Sequence, residues 1–325
     1  MFEAIGLFLL GLVLLALGGD SIVKGASGLA QRFGASPLVA GLVLVAFGTS
    51  VPEIAVNLHA IAAGHPDLAL GNAIGSNVVN FGLTLGAAAL AAPLLVRWRS
   101  LSPLLLVLVL GTLATILLGL DGSLSRLDGL LLVLAFVAVI AFALARSRRE
   151  SPELQAEIAA FARTSNDLWL NLARFAIAAV LLYFGSRLVV AHAVTLGDGL
   201  GLSLLLTGLI PVAIGTALPE IAGAIAAARR GQGDMVVGHV IGSSLFNLLV
   251  IVGAMAAWQP VVLPGMLLRY ALPAALAFAL VIYPMLRGDL RIERREGGIL
   301  LVGFALWLAF ELVLVGSAGT VAAQG

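Results

Sequence analysis

The 325-residue sequence contains no cysteine, only 11% charged residues, 6% aromatics and, among its eighteen Lys and Arg, a single lysine, Lys24. Without cysteine there can be no disulfide and no thiolate metal site, although the redox compartment stays open. A soluble domain carries about 25% charge, so this deficit argues for lipid as the solvent. The formal net charge is +1, which gives no reason to expect nucleic acid or an acidic partner. The first apolar stretch, Ile5 to Val23, lacks a basic leader and a small-residue cleavage site, and is expected to be a spanning helix, not a removed signal. No nucleophile, base and oxyanion donor cluster in the sequence, so no enzyme is expected. No cofactor and no protein partner is expected either.

What the chain does have is hydrophobicity: 61% apolar residues and a mean hydropathy of +1.12. A span needs roughly 20 apolar residues. Ten are predicted, at 3–23, 36–62, 68–91, 101–119, 126–145, 170–195, 203–228, 235–257, 263–286 and 297–316. Gly48, Thr49 and Pro52 interrupt the second, whose boundary is the weakest. In this topology only Arg126, Arg187 and Arg269 lie off one common face; every other Lys and Arg falls on it. That face is expected to be cytoplasmic, leaving both termini external and the chain in the cytoplasmic (inner) membrane. The Arg-for-Lys bias weakly suggests a GC-rich bacterial genome.

A shift of 167 positions superposes the two halves without a gap. Gly48, Thr49, Pro52 and Glu53 land on Gly215, Thr216, Pro219 and Glu220. Gly71, Gly75, Ser76 and Asn80 land on Gly238, Gly242, Ser243 and Asn247. Leu on Leu would mean little here; Pro, Glu and Asn are scarce or costly in a membrane, so their coincidence marks a duplication. Five spans per half is an odd number, so the halves insert with opposite orientation. The sequence therefore predicts an all-α membrane protein of ten transmembrane helices in two inverted five-helix repeats. The first covers 1–145 with its motif region at 36–91. A cytoplasmic linker occupies 146–169. The second repeat covers 170–325, with its motif region at 203–257. The linker has no acidic cluster or EF-hand pattern, so no separate soluble domain is expected.

Inverted repeats with Gly/Pro-interrupted helices at corresponding places point to the substrate site of a secondary transporter. The interruptions here are GTSVPE (Gly48–Glu53) and GTALPE (Gly215–Glu220). Pro52 and Pro219 lack an N–H and push away the carbonyls of Gly48 and Gly215 four residues back. Freed carbonyls in hydrocarbon need a partner, and a cation is one. Ala46, Thr49, Ser50 and Glu53 share a helix face, as do Ala213, Thr216, Ala217 and Glu220. Asn72, Ser76 and Asn80 are spaced four apart, and His239, Ser243 and Asn247 repeat that spacing. Together these offer carboxylate, hydroxyl, amide and carbonyl oxygens, a hard-oxygen set suited to Ca²⁺ with its 6–8 ligands. Nothing favours zinc or copper. Two bare carboxylates at mid-membrane cost several kcal/mol each. An empty site should resist crossing between the two faces, and exchange results if only loaded forms reorient.

The other acids carry less. Glu311 is expected to snorkel at the outer end of the last span. Asp67 and Asp234 read as N-caps, and Asp20, opposite Arg187 in the repeat, implies no shared ligand role. His239, opposite Asn72, is read first as a packing histidine, with a pH-sensing role as the alternative. The glycines of GNAIGSN (Gly71–Asn77) and GHVIGSS (Gly238–Ser244) are expected to let helices approach closely.

At these motifs the sequence resembles the cation/calcium exchanger superfamily, and within it the sodium/calcium exchangers. GTSVPE with GNAIGSNVVN resembles the first signature repeat and GTALPE with GHVIGSSLFN the second. The resemblance implies exchange of Ca²⁺ for Na⁺ by alternating access, with the first and sixth helices sliding against the remaining eight. It further implies that Glu53 and Glu220 are the main Ca²⁺ ligands, with backbone carbonyls of Thr49 and Thr216 beside them. Carbonyls of Ala46 and Ala213 would serve flanking sodium sites, Ser50, Ser76 and Ser243 would supply sodium-ligand hydroxyls, and Asn80 and Asn247 would line the centre. Two departures stand out. Asn247 occupies a position where microbial and potassium-dependent relatives carry Asp, which argues against potassium co-transport. Ala217 replaces the hydroxyl that Ser50 supplies in the first half, which leaves H⁺ or another divalent ion open as the alternative. A channel or a non-transporting membrane protein is the distant alternative.

Overall fold

The chain is described by a computed structural model that covers residues 1–34, 50–147, 152, 156, 159 and 164–322. Among the described residues ten longer helices succeed one another: α1 (Phe2–Arg32), α2 (Val51–Ala62), α3 (Pro66–Ala91), α4 (Trp98–Leu118), α5 (Arg126–Ser147), α6 (Leu168–Gly199), α7 (Leu204–Arg229), α8 (Gly233–Trp258), α9 (Leu267–Leu286) and α10 (Arg294–Ala322). Among the described residues nine are long and apolar enough to cross a bilayer, and α2 is a shorter apolar helix. The multi-pass, all-α fold is the one the repeat predicts.

Local chemistry sets many of the boundaries. Asp167 caps α6 by accepting from the Leu170 N–H at 2.7 Å, and Ser203 caps α7 through Leu206 at 3.3 Å. Pro66 opens α3 in the first turn, where a missing N–H costs nothing. The turns after α2 and α7 pass through Gly64 and Gly231 at φ 83° and 76°, a pair matched by the repeat. The expected caps at Asp67 and Asp234 are displaced by two residues: His65 and Gln232 stand at the N-cap positions, and both aspartates lie inside the first turn. There a negative charge still complements the helix dipole. Asp234 also accepts from the Arg97 N–H and pairs with the Arg97 guanidinium at 3.7 Å.

α1 and α6 are the longest pair, at 31 and 32 residues. At about 1.5 Å per residue each exceeds a hydrocarbon core of about 30 Å and must tilt or project. They pack against one another through small residues. A Cβ on Gly11 would meet the Gly185 carbonyl at 2.9 Å, and one on Gly185 would meet the Leu15 N–H at 3.0 Å. Where every surrounding surface is apolar, such close backbone approach supplies the contact.

α3, α7 and α8 form the buried centre, each mostly enclosed by neighbouring helices, while α4, α5, α9 and α10 show broad apolar faces outward. α3 and α7 approach backbone to backbone, because a Cβ on Gly71, Gly75 or Gly208 would strike Leu205, Leu209 or Leu68 carbonyls. The glycine expectation holds for Gly71 and Gly75. Gly238 differs: its nearest neighbour is a Leu101 methyl at 3.5 Å.

Four two-residue strands, too short to alter the class, join the halves crosswise. β1 (Leu94–Leu95) pairs antiparallel with β4 (Arg291–Ile292), and β2 (Ser123–Leu124) with β3 (Val261–Val262). β1 and β3 are repeat mates, so each half lends a strand to both pairs.

Candidate cation-binding site

Glu53 lies in the first turn of α2, directly after Ser50 at its N-cap and Pro52 in the opening turn. The second half is built otherwise. Pro219 sits inside an α-helical stretch, Ala213–Arg229, that continues across it, so the expected break is absent there. Pro219 still deprives the Gly215 carbonyl of its usual donor. The upstream π-helical turn Gly208–Val212, which contains Pro211, redirects the chain before the motif.

Both carboxyl groups are buried, Glu53 at 1% exposure and Glu220 at 7%. One from each half, they are close enough to act on each other. Even so, Glu53 Oε2 and both Glu220 oxygens have no hydrogen-bond partner among the described residues. A carboxylate buried this way costs several kcal/mol unless a proton or a cation neutralises it, so three unpartnered carboxyl oxygens together mark a place for one or the other.

Hydroxyls and amides from both halves surround them. Ser50 Oγ and Ser243 Oγ are 2.9 Å apart, which links α2 of one half to α8 of the other. The repeat maps this pair onto Ala217 and Ser76. Ala217 has no hydroxyl, and Ser76 Oγ is buried without a partner. The repeat thus sets an alanine where Ser76 would find its counterpart. Thr216 is buried, and its hydroxyl donates to the carbonyls of Val212 at 3.1 Å and Ala213 at 3.3 Å. Each carbonyl keeps a second lone pair. Asn80 Nδ2 reaches Ser244 Oγ at 3.5 Å, a long contact, and both polar atoms of Asn247 lack partners. Ala46 and Thr49 lie outside the described residues.

Asn80 and Asn247 stand in π-helical turns, Asn80–Leu85 and Phe246–Val252, at matching places in α3 and α8. The extra residue per turn rotates the downstream half of each helix about its axis, and such turns recur at functional sites. Periodicity at 3.6 residues gives no hint of them. The sequence pattern also left Asn57, Asn77 and Ser244 unmarked, and all three are buried. Asn72 Nδ2 donates to Asn57 Oδ1 at 2.8 Å, tying α3 to α2. A polar residue four positions after Glu53 in an apolar span was the available signal for Asn57.

A cavity of about 310 Å³ reaches Glu220 between α1, α7 and α8 and is also bordered by Pro52 of α2. Asp20, Thr216, Glu220, Gly223 and His239 are among its lining residues. It lies toward the end of the molecule where Lys24, Arg229 and Arg230 sit. Among the described residues no group of three or more His, Cys, Asp or Glu could hold a resident metal ion. The site therefore rests on two carboxylates and neutral oxygens.

Glu311 departs from expectation. Its side chain is fully buried, not snorkelling, and it continues the inward stripe of α10 formed by Leu300, Phe304 and Trp307. Position along a span gives depth but not azimuth, and the stripe decides the azimuth.

The family model for sodium/calcium exchanger protein matches residues 3–145 and 170–313. The inner membrane protein YrbG of Escherichia coli strain K12 is 35% identical over 321 residues, spanning 95% of this chain and 97% of its own. The sodium/calcium exchanger MaX1 of Methanosarcina acetivorans is 27% identical over 343 residues, covering 95% and 97%. A solved structure of the sodium-calcium exchanger NCX_Mj superposes with a TM-score of 0.67 at 29% identity, covering 95% of this chain and 98% of that one.

Proposed function

Because the chain belongs to the sodium/calcium exchanger protein family, we propose that it is a secondary active antiporter exchanging Ca²⁺ for Na⁺ by alternating access. The observation that carries this reading is the meeting of two buried carboxyl groups, one from each inverted half, with three of their oxygens unpartnered. One divalent ion balances two carboxylates, and the surrounding oxygens are the hard donors that Ca²⁺ prefers.

In this reading Glu53 and Glu220 are the principal Ca²⁺ ligands, joined by the backbone carbonyls of Thr49 and Thr216. The Ser50, Ser76 and Ser243 hydroxyls and the carbonyls of Ala46 and Ala213 take Na⁺, and the Asn80 and Asn247 amides line the middle. Sodium coupling is supported by the likeness to MaX1 and NCX_Mj, both sodium/calcium exchangers, and by the Ser50–Ser243 pair. The face rich in Lys and Arg is cytoplasmic by the positive-inside rule, which leaves both termini external. The cavity reaching Glu220 lies on that face, which supports a state open toward the cytoplasm.

A second reading has one specific observation behind it. Ser76 Oγ has no hydrogen-bond partner among the described residues, and Ala217 stands where the repeat of Ser50 would supply one; on this reading one sodium position is weakened and protons replace part of the sodium. The deciding experiment is Ca²⁺ flux in vesicles of purified protein, first under an imposed Na⁺ gradient and then under a pH gradient alone. Flux with Na⁺ and none with pH supports sodium exchange; the reverse result overturns it in favour of H⁺ coupling.

A further inference from the structure

Glu53 and Asn57 lie one turn apart on one face of α2, and Asn72, Ser76 and Asn80 follow at the same interval on α3. All five are buried, none more than 2% exposed. α2 and α3 are joined by the short turn 63–65 and run antiparallel. The Asn72 amide donates to Asn57 Oδ1 at 2.8 Å. Moving four residues from this bond in the same direction on each helix, about 6 Å at 1.5 Å per residue, brings Glu53 level with Ser76. Glu53 Oε2 and Ser76 Oγ are both buried without a hydrogen-bond partner among the described residues. The amide bond thus sets the register of two open oxygens, one on each helix.

The second half lacks this bond. The repeat mates of Asn57 and Asn72 are Ala224 and His239, and an alanine side chain can neither donate nor accept. The seams differ accordingly. Asn57 and Asn72 meet each other, whereas Ala224 and His239 both border the cavity beside Glu220.

We propose that Asn57 and Asn72 are positioning residues for cation binding: their mutual bond fixes the separation of Glu53 and Ser76, and with it the ion size that the first half accepts. Groups behind a ligand orient it and set its spacing. Discrimination among hard cations depends on the size of the cavity and the rigidity of its oxygens. This inference rests on the antiport reading, and it is tested on binding as well as on transport so that the two can fail separately.

Ca²⁺ and Ba²⁺ binding to the purified protein in detergent is to be measured by calorimetry, with flux in vesicles in parallel. Asn57→Ala and Asn72→Ala each weaken Ca²⁺ binding about ten-fold and weaken binding of the larger Ba²⁺ less, so the preference for Ca²⁺ falls. The double variant is no worse than the poorer single, because the same bond is lost in all three. Flux at saturating Ca²⁺ changes less than affinity does. A purely structural role gives instead equal losses for both ions and a lower saturating flux. Asn57→Ser and Asn72→Ser serve where alanine prevents folding: a serine hydroxyl bonds back to the carbonyl one turn earlier and is too short to rebuild the bridge, so the same loss of preference is expected. An unchanged Ca²⁺-to-Ba²⁺ ratio in either series, or losses that add in the double variant, overturns the proposal. A wild type that binds Ca²⁺ with this pattern of variants yet carries none under any gradient overturns the antiport reading and leaves the positioning role standing.

Discussion

Glu53 stands in the first turn of α2, directly after its N-cap Ser50, whereas Glu220 stands within the α-helical stretch Ala213–Arg229, which runs through Pro219 without a break. Around Glu53, Val56 is buried, Asn57 is tied to Asn72 and, among the described residues, only Pro52 borders the cavity; around Glu220, Gly223, Ala224 and His239 border it. Two copies of one motif thus hold equivalent acids in unlike surroundings. Duplication supplies the symmetry of the two motifs, and later substitutions set the surroundings of the two acids apart.

The sharpest test asks whether the acids remain equivalent despite their settings. Glu53→Gln and Glu220→Gln are each expected to reduce ⁴⁵Ca²⁺ uptake at least about 100-fold, since removing one partner of a buried charge site costs about 3–5 kcal/mol. Uptake retained in either variant rejects the two-carboxylate site. The next largest effect separates the glycines. Gly75→Ala pushes a methyl into the Leu209 backbone and should cost about 1–3 kcal/mol, read as a lower melting temperature in detergent. Gly238→Ala, facing only a Leu101 methyl at 3.5 Å, should be near neutral. Equal losses at both positions would show that the halves pack alike after all.

Asn57→Ala removes the tie to Asn72 and strands a second amide, at about 1 kcal/mol. Thiol accessibility along α2 is expected to rise, and unchanged accessibility would show that the tie does not hold α2 against α3. The smallest effect belongs to Ala217→Ser. It offers Ser76 the partner that Ser243 has in Ser50, worth about 0.6 kcal/mol in a membrane interior. Sodium dependence of Ca²⁺ flux should sharpen by a few-fold at most, and identical curves would mark position 217 as idle.

The fold was legible because its two strongest signals are global: apolar length fixes spans, and costly residues recurring at one offset fix the repeat. Much of the candidate site was also legible, since Glu, Asn and Ser are expensive in lipid and stand out against Leu and Ala. The π turns at Asn80 and Asn247 were not, because a change of winding is a backbone event that side-chain types do not announce. The inward turn of Glu311 was hidden in the azimuth of one helix. The caps moved from Asp67 and Asp234 to His65 and Gln232 because the helices begin earlier than the aspartates suggest.

The crossed strand pairs bear on how the molecule is made. β1 is synthesised about two hundred residues before its partner β4. At roughly 5–20 residues per second the ribosome needs about 10–40 s to deliver that partner. During this interval the Leu94 and Leu95 backbone has only water or lipid headgroups to satisfy it. The N-terminal half therefore enters the bilayer before its clasp exists, and a chain truncated ahead of Arg291 would carry that open edge permanently, as a substrate for membrane quality control.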